Sequence, residues 1–170
     1  MLRQIDWMWH LVETVFRFCI RLLEKIIHRQ IPERTQQMLL QFVKFGIVGV
    51  SNSLVNYFAY VASLLMFRKM LWFAAADFLA AQIVAFVLSV LWSYYWNNRY
   101  VFVEDGRSAN WLVTLAKTFA AYSFTGLILS ELLLLLWVNV VGLSEFVAPV
   151  LNILICMPIN FVINRFWAFK

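Results

Sequence analysis

The sequence predicts an all-α integral membrane protein with four transmembrane helices in two repeated pairs, preceded by an N-terminal amphipathic interfacial helix. Three observations lead to this fold class. Hydrophobic residues make up 64% of the 170-residue chain, whereas charged residues make up only 14%. Four apolar runs are each long enough to cross a hydrocarbon core of about 30 Å. Two of these runs also end in nearly the same residues.

Residues 1–34 have the pattern of an amphipathic helix. Apolar residues recur at helical spacing and charged residues fill the opposite face. Trp7 and Trp9 suit the level of the lipid headgroups. Glu13 and Arg17 interrupt the apolar run, so the segment does not have the pattern of a signal peptide. We expect a retained helix on the cytoplasmic leaflet; a helix that forms oligomers is the alternative.

The transmembrane region is predicted to cover residues 39–170, with two repeats of the same orientation. The repeats cover about residues 39–103 and 110–170, and the four spans lie at about 42–67, 72–96, 112–138 and 145–167. The first and third spans correspond only weakly, through Lys44 and Lys117. The second and fourth spans correspond more strongly, because their closing segments begin at Asn97 and Asn164.

Small and polar residues form one stripe along each of the second and fourth spans, because residues four apart share a helix face. The stripes are Asp77, Ala81, Ala85, Ser89, Ser93 and Asn97 in the second span, and Ala148, Asn152, Cys156, Asn160 and Asn164 in the fourth. Each stripe leads into a similar ending, Asn97-Asn98-Arg99-Tyr100-Val101-Phe102 and Asn164-Arg165-Phe166-Trp167-Ala168-Phe169. A polar stripe that ends in an amide and an arginine is typical of a membrane-embedded site.

The basic residues predict the orientation of the chain. With four spans, twelve of the fourteen lysines and arginines fall on one side, and only Arg68 and Lys69 fall on the other. Positive charge accumulates on the cytoplasmic side, so both termini are expected in the cytoplasm. The net charge of +5 follows this topology and does not indicate a nucleic-acid partner.

Two carboxylates fall inside predicted spans. Asp77 and Glu131 both lie in the outer half of the membrane, where a charge costs about 2.5–3.5 kcal/mol on insertion scales. They predict a polar outer vestibule. The alternative is that these side chains reach outward to water or cap loops.

No pattern for catalysis or metal binding occurs in the sequence. A nucleophile elbow, a P-loop, an HExxH motif and paired carboxylates are all absent. Cys19 and Cys156 fit no metal or redox spacing, and neither His10 nor His28 has a second type of ligand nearby. We expect no enzymatic activity, no metal and no cofactor.

The segment from Phe42 through Lys44, Gly46 and Gly49 to Asn52, followed by two spans and the first closing motif, resembles the GtrA-like family. The second closing motif is similar to the end of that family, and the resemblance covers about residues 39–170. It implies translocation of polyprenyl-phosphate-linked sugars across the cytoplasmic (inner) membrane, for modification of cell-surface polysaccharide or lipopolysaccharide.

The resemblance also indicates a headgroup site. At the inner ends of the spans, Arg99 and Arg165 are predicted to capture the phosphate with the help of Lys44 and Lys117. The sugar path is predicted to be lined by Asn52, Asn56, Asn97, Asn160 and Asn164. The alternatives are that the cations only set topology and that the amides only pack helices.

The expected partners are the sugar lipid, membrane lipids and a second copy of the chain. Four helices make a thin bundle, so a homo-oligomer is expected, most simply a C2 dimer. The alternative function is a membrane adaptor that anchors or regulates a glycosyltransferase through the N-terminal helix. A small-molecule exporter is less well supported, because the first span carries no glutamate.

Overall fold

The computed structural model describes residues 2–70, 77–102, 110–144 and 147–169, and this part of the chain contains helices and no strand. The helices are α1 (Leu2–Ile27), α2 (Glu33–Lys69), α3 (Asp77–Val101), α4 (Trp111–Val140) and α5 (Ala148–Ile163), which continues as a π-helical turn over Asn164–Ala168. Helices α2 to α5 are each long and apolar enough to cross a membrane. The predicted all-α membrane fold is confirmed, while the repeated pairs remain a prediction.

Helix α1 folds back along the beginning of α2. The residue that follows its end, His28, has a left-handed backbone with φ of 54°. The Glu24 carboxylate then accepts hydrogen bonds from the Ile31 amide at 2.8 Å and from the Gln36 side chain at 3.3 Å. Pro32 precedes the first turn of α2, where its missing N–H costs nothing. These contacts orient the two helices roughly antiparallel.

Helix α2 is longer than a membrane span requires. Its 37 residues extend about 55 Å at a rise of about 1.5 Å per residue, compared with a hydrocarbon core of about 30 Å. The first turns of α2 therefore continue beyond the apolar layer, on the side where α1 lies. We call this side, which carries Lys44, Arg99 and Arg165, the inner end of the bundle.

The stripe of small residues on α3 packs against α2. Ala81 and Ala85 are completely buried, which allows the two backbones to approach closely. Two polar contacts join the same helices: the Asn56 amide donates to Ser89 Oγ at 3.4 Å, and Trp92 Nε1 donates to Ser51 Oγ at 3.1 Å. Helices α2 and α3 thus form a tight pair.

The aromatic core lies at the inner end of the bundle. Phe45, Phe102, Phe161 and Phe169 are buried there and pack face to face or edge to face. Trp9 of α1 joins this core with only 4% of its surface exposed, stacked 5.3 Å from the Tyr100 ring.

The two tryptophans expected at the headgroup level therefore have different environments. Trp7 is 67% exposed, in agreement with an interfacial position. Trp9 differs, because its ring packs against Tyr100 at the end of α3. Helix α1 is consequently attached to the bundle by a buried anchor, in addition to any contact of its apolar face with lipid.

Candidate functional site: a cationic cleft and an amide-lined cavity

A cleft at the inner end lies between α1, the beginning of α2 and the end of α3. Its volume is about 430 Å³. The polar residues that line it are His10, Glu13 and Arg17 of α1, Gln37, Gln41 and Lys44 of α2, and Arg99 and Tyr100 of α3. We call it the cationic cleft, because three of these side chains are basic, Arg17, Lys44 and Arg99.

Lys44 has the most enclosed charge in the cationic cleft. Its Nζ lies 2.5 Å from Glu13 Oε1, and the two side chains are 12% and 31% exposed. The same Nζ lies 5.9 Å from the centroid of the Trp9 ring, within the range of a cation–π contact. Helix α1 therefore provides both immediate partners of this lysine.

The two arginines predicted to capture phosphate both lie near the cleft. Arg99 lines it directly and donates from Nε to the Tyr100 hydroxyl at 3.1 Å. Arg165 donates to the side-chain oxygen of Gln41, which lines the cleft. Lys117 is placed differently, with its Nζ 5.8 Å from the Trp167 ring, and it does not line the cleft. The structure thus groups Lys44 and Arg99, with Arg165 at the edge.

A second, larger cavity lies between α2, α4 and α5, with a volume of about 640 Å³. Its lining includes Phe45, Gly46, Gly49 and Asn52 of α2, Tyr122, Gly126, Ser130 and Glu131 of α4, and Asn152, Cys156 and Asn160 of α5. A Cβ atom added at Gly49 or Gly126 would meet no atom within 4 Å, so the glycines leave the cavity open from two sides. We call it the amide-lined cavity.

Two amide oxygens in the amide-lined cavity are buried and have no hydrogen-bond donor among the described residues. They are Oδ1 of Asn52 and Oδ1 of Asn152. The nitrogen of Asn152 is well placed, since it donates to the Ser130 backbone oxygen at 2.7 Å and to its hydroxyl at 3.1 Å. An unsatisfied buried oxygen costs about 1–3 kcal/mol, so these two positions favour a ligand that brings hydroxyl donors.

The other predicted amides take part in packing. Asn97 and Asn164 are completely buried. The Asn97 amide donates to Ser93 Oγ at 3.0 Å, and the Asn164 amide donates to the backbone and side-chain oxygens of Asn160 at 2.8 and 2.9 Å. Of the five amides expected along the sugar path, Asn52 and Asn160 line the cavity.

Tyr122, which was not among the predicted site residues, lines the cavity and also contacts α3. Its hydroxyl lies 2.5 Å from Ser93 Oγ, and the side chains of Asn97 and Asn160 also interact with it. One signal was present in the sequence: Thr118, Tyr122 and Thr125 are four and three positions apart, which places a polar stripe on one face of α4.

The two carboxylates of the predicted outer vestibule are not in one site. Asp77 Oδ2 accepts a hydrogen bond from Arg68 Nε at 2.9 Å, and its Oδ1 accepts one from the Phe78 amide at 2.7 Å. Asp77 thus pairs with the last turn of α2 and with the first turn of its own helix. Glu131 lines the amide-lined cavity and has no hydrogen bond or ion pair within the described ranges.

Four helices long and apolar enough to cross a membrane, with a cavity between three of them, define a small multi-pass membrane protein. The chain belongs to the GtrA/DPMS transmembrane-domain family, whose model matches residues 44–169. This match confirms the GtrA-like assignment and includes α2 from Lys44 onward together with α3, α4 and α5. It does not include α1. No curated protein matches the sequence.

Proposed function

We propose that this protein translocates polyprenyl-phosphate-linked sugars across the cytoplasmic (inner) membrane, with both termini in the cytoplasm and without catalysing a reaction. The observation that carries the proposal is the amide-lined cavity, which lies inside the membrane-spanning bundle and contains two buried oxygens without donors. Its volume of about 640 Å³ is within the range of about 300–1,000 Å³ that is usual for sites binding small ligands.

The two sites suit the two polar parts of such a lipid. A phosphate at the inner end would be bound by Lys44 and Arg99 in the cationic cleft, with Arg165 at its edge. Arginine offers a planar fork of donors to phosphate oxygens, and lysine adds a point charge. Sugar hydroxyls would donate to the oxygens of Asn52 and Asn152, so the sugar is paired with uncharged amides.

One side chain of the cavity lining also belongs to the aromatic core at the inner end. Phe45 lines the cavity, and its ring packs 5.5 Å from the Phe161 ring in the buried core. In the proposed mechanism these rings separate to let the sugar pass and then close again. Because both rings belong to the contact between α2 and α5, movement of α5 relative to the α2–α3 pair is sufficient.

A native thiol allows a direct test, because Cys156 lines the amide-lined cavity. The Cys19→Ser protein is reconstituted into vesicles with a fluorescent polyprenyl phosphate-sugar, and transport is followed before and after reaction with a bulky methanethiosulfonate. We expect transport before the reaction and its loss afterwards. The control is Cys156→Ser, whose remaining Cys19 is exposed on α1. Absence of transport by the unmodified protein would refute the proposal.

The adaptor function is the second candidate, and one observation favours it. An apolar stripe on α1 is exposed along its length, at Leu11, Val15, Phe18, Leu22 and Ile26. A glycosyltransferase that co-purifies with the full chain and not with a variant lacking residues 1–30 would support this function, provided that vesicles containing the protein alone transport no lipid.

A further inference from the structure

Helix α1 contributes one wall of the cationic cleft although it lies outside the region that matches the family. The match begins at Lys44, whereas His10, Glu13 and Arg17 come from α1. Trp9 fixes this part of α1 in place, because it is buried against Tyr100. The N-terminal helix is thus built into the site, and its charges act on any anion that enters it.

Among the described residues that line the cationic cleft, Glu13 is the only acid. Its carboxylate lies 2.5 Å from Lys44 Nζ, and both side chains are largely enclosed. Carboxylate and phosphate oxygens are acceptors of the same kind for a lysine ammonium group. The position of Glu13 Oε1 is therefore a position that a phosphate oxygen would occupy.

The comparison with Lys117 indicates that the acid is not needed to hold a lysine at the inner end. Both lysines lie over a tryptophan ring, Lys44 at 5.9 Å from Trp9 and Lys117 at 5.8 Å from Trp167. The ion pairs in the described ranges are Lys44–Glu13 and Arg68–Asp77, so Lys117 has no carboxylate partner there. The aromatic contact is shared, whereas the acidic partner is specific to Lys44.

We propose that Glu13 competes with the anionic ligand for Lys44: its carboxylate pairs with the lysine until a phosphate group displaces it. This inference rests on the cation site of the proposed function. The enclosed lysine has an anionic partner in both states, which avoids the cost of an unpaired charge. The displaced carboxylate can pair with Arg17, which lies four residues further along the same face of α1. An acid that precedes its basic partner by four residues is the more favourable arrangement of such a pair in a helix.

The test uses the full chain in phosphatidylcholine nanodiscs, titrated with inorganic pyrophosphate by calorimetry. Glu13→Gln keeps the shape of the side chain and removes its charge. We expect it to bind pyrophosphate about fivefold more tightly, which corresponds to an ion pair of about 1 kcal/mol. Lys44→Gln should weaken binding and should abolish the gain when combined with Glu13→Gln. The matched control is Glu33→Gln, which removes the same charge from an exposed position outside the cleft and should change affinity by less than about twofold.

A second arm identifies the source of the phosphate. Nanodiscs that contain polyprenyl phosphate are examined by native mass spectrometry for retained lipid, and Glu13→Gln should retain more than the unmodified protein. If lipid is retained equally by both proteins and pyrophosphate affinity is unchanged, the competition is refuted while the proposed function stands. If pyrophosphate binds more tightly to Glu13→Gln but no lipid is retained, the competition holds for a soluble phosphate and the proposed function falls.

Equal tightening by Glu33→Gln would also refute the competition, because it would show a general effect of charge. Thermal unfolding of each variant checks that the fold is preserved. Should Glu13→Gln fail to fold, Glu13→Asp provides the same test: the shorter side chain keeps its charge but reaches Lys44 less well, so pyrophosphate should bind more tightly than to the unmodified protein. Unchanged or weaker binding by that variant would contradict the proposal.

Discussion

The rings of Phe102 and Phe169 stack on each other, with centroids 4.7 Å apart and planes inclined by 30°. These residues close the two similar segments of the sequence. Each backbone N–H donates to the carbonyl of an asparagine five positions earlier, Asn97 or Asn164, at 2.9 Å. The two endings therefore have the same local geometry, and they meet in the core at the inner end.

This stack should be a main source of stability. Phe102→Ala and Phe169→Ala should each lower the free energy of unfolding by about 3–5 kcal/mol, as expected for a buried phenylalanine. The double variant should lose about 0.5–1.5 kcal/mol less than the sum, because the two rings contact each other. Unfolding in dodecyl sulfate measures all three values. Phe166→Ala is the control, since Phe166 is 54% exposed. Strict additivity would contradict a direct energetic coupling.

Filling the amide-lined cavity should stop transport without unfolding the protein. Gly49→Leu adds a side chain at a position that is open in the structure, so we expect transport in vesicles to fall about tenfold or more, in line with steric exclusion from a single site. Ala62→Leu, on the exposed part of the same helix, is the matched control and should keep normal transport. A Gly49→Leu protein that is folded and fully active would exclude the cavity from the transport path.

Replacing the arginines by lysine separates phosphate capture from topology. Arg99→Lys and Arg165→Lys keep the positive charge but lose the bidentate fork. We expect each to weaken retention of polyprenyl phosphate by about tenfold, the equivalent of one charged hydrogen bond. Native mass spectrometry gives the retained fraction. If both variants keep full lipid binding and transport, the arginines serve only as topological anchors.

The amides should fall into two classes. Oδ1 of Asn52 and Oδ1 of Asn97 both lack a donor among the described residues, but the Asn52 side chain makes no hydrogen bond there at all. Asn52→Leu should therefore leave stability unchanged or slightly higher while transport falls. Asn97→Leu breaks the hydrogen bond to Ser93 and should lower the free energy of unfolding by about 1–3 kcal/mol. The comparison requires both detergent unfolding and vesicle transport. A large loss of stability in Asn52→Leu would place that residue among the packing amides.

Orientation can be measured with an impermeant maleimide on intact cells. In a Cys19→Ser, Cys156→Ser background, cysteines placed at Lys69 and Val141 should react from outside, because Lys69 ends α2 and Val141 follows the end of α4, and the proposed topology puts both ends outside. A cysteine at Met38, in the inner extension of α2, should react only after the cells are opened. Labelling of Met38→Cys in intact cells would overturn the positive-inside orientation.

The sequence was sufficient for the helices and insufficient for the contacts between them. Spans and the amphipathic helix follow from local hydrophobic patterns, so their existence was predictable. The pair Glu13–Lys44 and the bond from Arg165 to Gln41 join residues 31 and 124 positions apart. Helical periodicity shows which residues share a face, but it does not show which helix that face meets.

The amide stripes illustrate the same limit within the site. Asn97 and Asn152 occupy equivalent kinds of position, each on a polar stripe with spacing of four. One is buried against Ser93 and the other faces the cavity from α5. Their different roles depend on the spaces between helices, because α3 packs closely on α2 while α2, α4 and α5 leave a gap.

The π-helical turns Asn97–Val101 and Asn164–Ala168 impose a constraint on the number of residues. A π-turn contains one residue more than an α-turn, and one residue corresponds to a rotation of about 100° around a helix. A deletion of a single residue inside either turn would restore ordinary helical winding and swing the following phenylalanine away from its stacking partner. Insertions and deletions should therefore be far more damaging there than substitutions: what these two segments must preserve is their length.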